Sequence, residues 1–382
     1  MKKIILVGLV PPPFNGQSVA FGLLIDKMKA LNMPIKVVDM SFGGEMDKGG
    51  RSSFHRMLDF VKVFRDLVRY AIGGNFVLYL QIAQSRRGFM RDMVMNRIAG
   101  FFGGKTVVHL HGGNYGGFYK EQPENVQRMI NKELDSYSSI IILSDSLRDM
   151  FSFHQGLEGK LVSLPNGIGA AVGPVKPKLL PEKGTPVKLL YLSNMIESKG
   201  YMRVLEAVHI LNRKGFQVES SFCGTFLSED GGNDDNLENK EAEFFDKIRQ
   251  YNLNETVKFL GVVVGSEKER LLQESHFFLL PTNYHNEGQP ISIIEAMRYG
   301  CVVVSSDYRA IPDMVEDGKT GYLVDSVLPD TVASKIEECL SSDPQVFSDM
   351  SRSAILRYNE HFTAEAHTRA LISLLERLAQ KK

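Results

Sequence analysis

Two carboxylates, Glu287 and Glu295, flank a helix start in the run NEGQPISIIEAMRYGCVVVSSD, residues 286–307. Gly288 and Pro290 mark that start, and the apolar series Ile291, Ile293, Ile294, Met297 predicts a buried helix leading into the strand CVVVSSD. The amides of Gly288, Gln289, Ile291 and Ser292 then gather at the positive end of the helix, where an anion is favoured, while Pro290 has no N–H to give. A phosphate on those amides, with one acid before the helix and one inside it accepting from hydroxyls, describes a nucleotide-sugar site. The competing reading is a surface acid and a helix acid near a favourable dipole.

Other residues carry chemistry by position. Lys199 lies after the apolar run VKLLYLS and ahead of YMRVLEAVHIL, so its ammonium could neutralise a diphosphate; otherwise it is a solvated turn lysine. Asn194 in the same loop is either a ligand amide or a turn residue. Gly16, preceded by Asn15 in PPPFNGQS, and Gly224, at the exit of VESSFCG, either let a phosphate approach the backbone or simply turn the chain. His111 ends KTVVHLH before two glycines, where a side chain points out of the sheet, and His109, two residues deeper on the same face, is expected to be a hydrogen-bonded structural histidine.

These residues need a scaffold, and short β-rich runs alternating with helical patterns predict parallel sheets covered on both faces. Strands are expected in KKIILVGLV, IKVVDM, FVLYLQ, KTVVHLH, SIIILS and KLVSLP, then in VKLLYLS, VESSFCG, VKFLG, HFFLLP, CVVVSSD and GYLV. Each set makes one doubly wound α/β, Rossmann-like domain, binding ligands beyond the carboxyl ends of its strands. The 382 residues suffice for two such cores. Residues 167–186, rich in glycine and proline, mark the boundary between domains at 1–170 and 185–361. The tail TAEAHTRALISLLERLAQKK predicts an amphipathic helix capped by Thr363, with Leu371, Leu374, Leu375 and Leu378 on one side, that packs back on the first domain over 362–382. The acidic stretch 228–243 is expected to be a solvated loop.

The motifs in this order resemble the retaining glycosyltransferases of family 4, the glycosyl transferases group 1. They are the Glu-x7-Glu element, SNMIESKG, VKFLG, DGKTGYLV, LHGG, LPNGI and the loop after the first strand. The resemblance implies the GT-B fold, two Rossmann-like domains facing across a cleft, with the acceptor on the first and the nucleoside diphosphate sugar on the second. It also implies that Glu287 contacts hydroxyls of the donor sugar, Glu295 holds the ribose, Lys199 binds the diphosphate and His111 supports the reaction face. Transfer to a glycan or lipid-linked acceptor in surface polysaccharide or glycolipid synthesis would follow. Two departures stand out: Asn194 replaces the usual arginine, and Asn15 one of two usual glycines. A nucleotide-sugar 2-epimerase of the same fold and a non-catalytic nucleotide-sugar-binding module are the alternatives.

No cofactor is expected, and the absence of any Asp-x-Asp sequence favours a metal-free site. Zero formal net charge argues against a nucleic-acid partner. Cys223, Cys301 and Cys339 form no CxxC pair, which fits a reducing cytoplasm, and the apolar run of the N-terminus is too short for a signal peptide. Residues 51–105 are locally basic, with ten Lys or Arg against three Asp, interleaved with Phe54, Met57, Val61, Phe64, Met90, Met93, Val94 and Phe101. The apolar residues are expected to pack on the sheet, and the cations to rest on an anionic membrane surface beside a lipid-linked acceptor.

Overall fold

The computed structural model describes residues 2–11, 16–41, 53–171, 173–229, 237–325 and 327–380. They form two compact units, one of residues 1–167 with 364–382 and one of residues 168–363. Among the described residues each unit holds one six-stranded sheet whose paired strands all run parallel.

In the first unit the strands are β1 (Lys3–Gly8), β2 (Ile35–Asp39), β3 (Phe76–Ile82), β4 (Lys105–Leu110), β5 (Ser139–Ile142) and β6 (Leu161–Ser163). Their spatial order is β2-β1-β3-β4-β5-β6, so the winding direction reverses between β1 and β3. All seven residues of β3 are buried, which is why the strand reads as a continuous apolar run rather than an alternation. The helix Ala364–Gln380 buries Leu371, Leu374 and Leu375 against a core containing Phe21, Tyr79 and Ile141, so the last segment of the chain completes the first unit.

The second unit has β7 (Val187–Leu192), β8 (Val218–Cys223), β9 (Val257–Gly261), β10 (Phe277–Leu280), β11 (Val302–Ser306) and β12 (Gly321–Val324). Their order, β12-β11-β10-β7-β8-β9, reverses between β7 and β10. The carboxyl ends of those two strands lie side by side there, the usual ligand position in open parallel sheets. All twelve expected strands form. Residues 168–186, expected as a boundary stretch, belong to the second unit, where Lys178 Nζ donates to the carbonyls of Leu272 and Gln273.

One local expectation is corrected. Half of the acidic stretch 228–243 is helix: Leu237–Gln250 turns Phe244 and Ile248 into the core, and residues 230–236 lie outside the described residues. An apolar pair at i, i+4 is enough to seat a helix that is otherwise charged.

Candidate functional site

Two loops meet at the reversal point of the second sheet. After β7 the chain makes a short 3-10 turn, Glu197–Lys199, then enters the helix Tyr201–Arg213, whose Tyr201, Val204, Leu205, Val208 and Leu211 form one buried face. Gly200 joins the two at φ 88°, and a Cβ there would lie 2.4 Å from the carbonyl oxygen of Pro281, at the exit of β10. Only glycine permits both the torsion and the contact. The loops are also tied by Asn283 N donating to Ser198 O at 2.8 Å and by Arg203 Nη1 donating to Asn283 Oδ1 at 3.0 Å.

This staple brings Lys199 to Glu287. The ammonium lies 3.2 Å from Glu287 Oε2 and 5.0 Å above the ring of Tyr284. Both side chains are largely withdrawn from solvent, 15% and 8% exposed. The same carboxylate oxygen accepts from the buried hydroxyl of Thr282 at 3.3 Å. Beyond the turn, Pro290 caps the helix Ile291–Arg298 with ψ 112°, one residue before helical geometry starts. Its fixed ring leaves Gln289 buried and Ile291 leading the first turn. Buried Ile293, Ile294 and Met297 anchor this helix, and Glu295 projects from its less buried side, 2.6 Å from Lys268 Nζ on the helix Gly265–Glu274.

The remaining second-unit candidates are placed as follows. Gly288 is buried beside Glu287 in the turn before the helix. Asn194 is exposed, and its carbonyl accepts from the Tyr191 hydroxyl at 3.0 Å. Gly224 takes φ 150°, its amide donates to Gly261 O at 2.8 Å, and a Cβ would fall 1.9 Å from Ser193 O. It therefore lets β8 exit against the loop carrying Asn194.

In the first unit His111 is partly buried at the carboxyl end of β4. Its Nε2 lies 3.3 Å from Gln81 Nε2, and its ring stacks on His109 at 4.0 Å. Gln81 Oε1 accepts from Leu9 N at 3.0 Å, so one side chain links the ends of β1, β3 and β4 at that unit's own reversal point. Burial, then the neighbouring His367, pushes the His111 pKa down to about 3, against a hydrogen bond to Asn166. His109 is fully buried, as expected of a structural histidine, and its Nδ1 meets the Tyr79 hydroxyl at 2.7 Å, but its Nε2 has no hydrogen-bond partner. The expectation of a hydrogen-bonded ring thus holds for Nδ1 and is corrected for Nε2, in a ring whose stacking neighbours are His111 and His367. Gly16 opens the helix Gly16–Ala30, while Pro12, Pro13 and Asn15 lie outside the described residues.

Sequence reasoning missed Lys268, Thr282 and Arg203. Lys268 stands 27 positions before Glu295 in a charged helix and carries no local mark. Thr282 directly follows HFFLLP, and a hydroxyl at a strand exit was the available signal. The basic segment also needs correcting. Arg91 is bound to buried Asp92 at 2.6 Å and so serves the fold rather than solvent, and Arg97 pairs with Glu133 at 3.1 Å. Met93 packs inward as expected, but Val61, Met90, Val94 and Phe101 are exposed. Phe54 and Met57 lie in a helical stretch whose side chains are outside the described set. Among the described residues there is no cluster of His, Cys, Asp or Glu suited to a metal ion.

Residues 175–357, inside the second unit, match the model of the family described as Glycosyl transferases group 1. The amylovoran biosynthesis glycosyltransferase AmsK of Erwinia amylovora is 27% identical over 198 residues, 51% of this chain and 46% of its own length. WcaL of Salmonella typhimurium, named as a candidate colanic acid biosynthesis glycosyltransferase, is 27% identical over 197 residues, 50% of this chain and 46% of its own. The matches thus span about half the length of these curated relatives. Anabaena HepE, solved in complex with UDP-glucose, shares the fold with TM-score 0.69 at 16% identity, over 99% of this chain and 100% of that one.

Proposed function

We propose, from the match of residues 175–357 to the glycosyl transferases group 1 model and from the shared GT-B fold, that the chain transfers a sugar from a nucleoside diphosphate to a glycan or lipid-linked acceptor. The reaction proceeds with retention of anomeric configuration and without a metal ion, in surface polysaccharide assembly, the setting named for AmsK. The supporting observation is the meeting of Lys199 and Glu287, from two different loops, at the reversal point of the second sheet.

The chemistry follows from charge. As the glycosidic bond breaks, the leaving diphosphate gains negative charge, and a fixed cation together with the amides of Gly288, Gln289 and Ile291 at a helix start stabilises it, by roughly 3 kcal/mol for one well-aimed donor. Lys199 supplies the cation. Glu287 accepts from sugar hydroxyls, and Glu295, steadied by Lys268, accepts from the ribose. Asn194 donates one amide hydrogen bond in place of a guanidinium. Gly224 holds the Asn194 loop in place, and in the first unit His111 and Gly16 serve the transfer step, His111 as a neutral imidazole.

Glu287→Ala is expected to lower turnover at least about a hundred-fold with the fold retained by circular dichroism. Near-wild-type transfer would remove Glu287 from the site. Donor screening by thermal shift over UDP, GDP and ADP sugars names the base. Product NMR with and without EDTA then reads the anomer and the metal dependence. Epimerised donor in the absence of acceptor would favour the epimerase instead.

A membrane surface is the proposed second partner, favoured by the helix Arg86–Phe101. Met90, Val94, Arg97 and Phe101 recur at i, i+4, i+7 and i+11 on one exposed face, with Arg86 and Arg87 at its start. No described helix is long and apolar enough to cross a membrane. Flotation with phosphatidylglycerol vesicles, but not phosphatidylcholine, is expected, and Phe101→Asp should reduce it. Equal behaviour with both lipids would sink the idea.

A further inference from the structure

In the structure the two groups assigned to adjacent parts of the donor, its diphosphate and its sugar, are bonded to each other. Lys199, meant for the diphosphate, lies 3.2 Å from Glu287, meant for the sugar. Glu287 is enclosed by Thr282 on the same oxygen and by the backbone turn that closes with its own amide donating to Tyr284 O at 2.9 Å. An incoming phosphate that takes the ammonium therefore deprives a largely buried carboxylate of its cation. A buried charge that loses its partner is costly unless new hydrogen bonds replace it. An intact donor carries those replacements in its sugar hydroxyls. A spent nucleoside diphosphate does not.

We propose that the Lys199–Glu287 pair makes the site discriminate intact nucleoside diphosphate sugar from the nucleoside diphosphate product. The pair acts as an exchange: diphosphate for carboxylate on Lys199, sugar hydroxyl for ammonium on Glu287. Product leaves because, once the sugar has moved to the acceptor, Glu287 draws Lys199 back. Thr282 is a positioning residue here, holding Oε2 where either partner can reach it. The inference rests on the donor-site reading above and assigns it a selectivity.

Calorimetric affinities of UDP, GDP and ADP, each against UDP-glucose, GDP-mannose and ADP-glucose respectively, test it in the wild type, Glu287→Gln, Lys199→Met and the double variant. Gln keeps the shape and removes the charge, and melting curves confirm that each variant is folded. The expected result is a wild type that prefers the sugar form of its cognate nucleotide. Glu287→Gln should bind the bare diphosphate roughly ten-fold more tightly, with little gain for the sugar form, so that the preference collapses. Simple repulsion between Glu287 and phosphate would also tighten binding, but equally with or without Lys199; the exchange requires the gain to shrink in the Lys199→Met background. An equal gain in both backgrounds, or weaker diphosphate binding in Glu287→Gln, overturns the exchange while leaving the donor site intact. If none of the six nucleotides binds the wild type, the donor-site reading falls, and the exchange with it.

Discussion

Asn194 sits in an exposed loop beside Lys199 and leaves that loop with one fixed cation, since an amide can share a hydrogen bond with phosphate but not its charge. Asn194→Arg should therefore tighten nucleoside diphosphate binding about three-fold to ten-fold, with the gain shrinking in high salt. Unchanged affinity in a titration would show that this side chain points away from the phosphate. Glu287 and Lys199 were legible because each lies near a strand or helix boundary that sequence pattern marks, and Glu295 because it stands eight residues after Glu287 in the helix that follows. Their partners were not: Thr282 and Lys268 matter only through folds of the backbone that bring one oxygen within 3.3 Å and one ammonium within 2.6 Å. No local pattern encodes such a contact.

At the level of elements, the site depends on how closely the loops after β7 and β10 approach. Gly200 sets that distance, because its φ of 88° and the carbonyl of Pro281 leave no room for a side chain. Gly200→Ala is expected to cost about 1–3 kcal/mol of stability in denaturant and to weaken diphosphate binding by displacing the turn that ends in Lys199. An unaltered midpoint would mean that the loop yields without strain. The helices themselves were readable from apolar spacing. The helix Leu237–Gln250 escaped because only Phe244 and Ile248 anchor it among its many charges, and composition then outweighs periodicity.

Over the whole molecule, the C-terminal helix returns to the first unit and places a third imidazole beside His109 on β4 and His111 just after it. His367 lies 6.0 Å from the His109 ring and its Nδ1 meets Pro165 O at 2.7 Å, while His109 and His111 stack at 4.0 Å. Burial lowers the pKa of all three, with a neighbouring imidazole adding to it for His109 and His111 and the Pro165 carbonyl opposing it for His367. Unfolded histidines bind protons from about pH 6.5 downward, whereas these resist until well below it. The unfolded state thus binds more protons in that interval, and stability present above pH 6.5 is lost as the pH falls toward about 3 for His111. Each such histidine contributes a slope on the order of 1 kcal/mol per pH unit. His367→Gln should flatten the melting-temperature profile just below pH 6.5 relative to wild type. Parallel profiles would show that carboxylates alone govern acid unfolding.

By itself the sequence determined two sets of parallel strands and the residues at their carboxyl ends, because burial on both faces writes parallel strands as apolar runs and helix starts as glycine and proline. Only the tertiary structure decided which charges meet. The Lys199–Glu287 and Lys268–Glu295 pairs join loops and helices many residues apart, and the three stacked imidazoles come from both ends of the first unit. Strand order decides these neighbours, and strand order is set by long-range packing that no window of sequence contains.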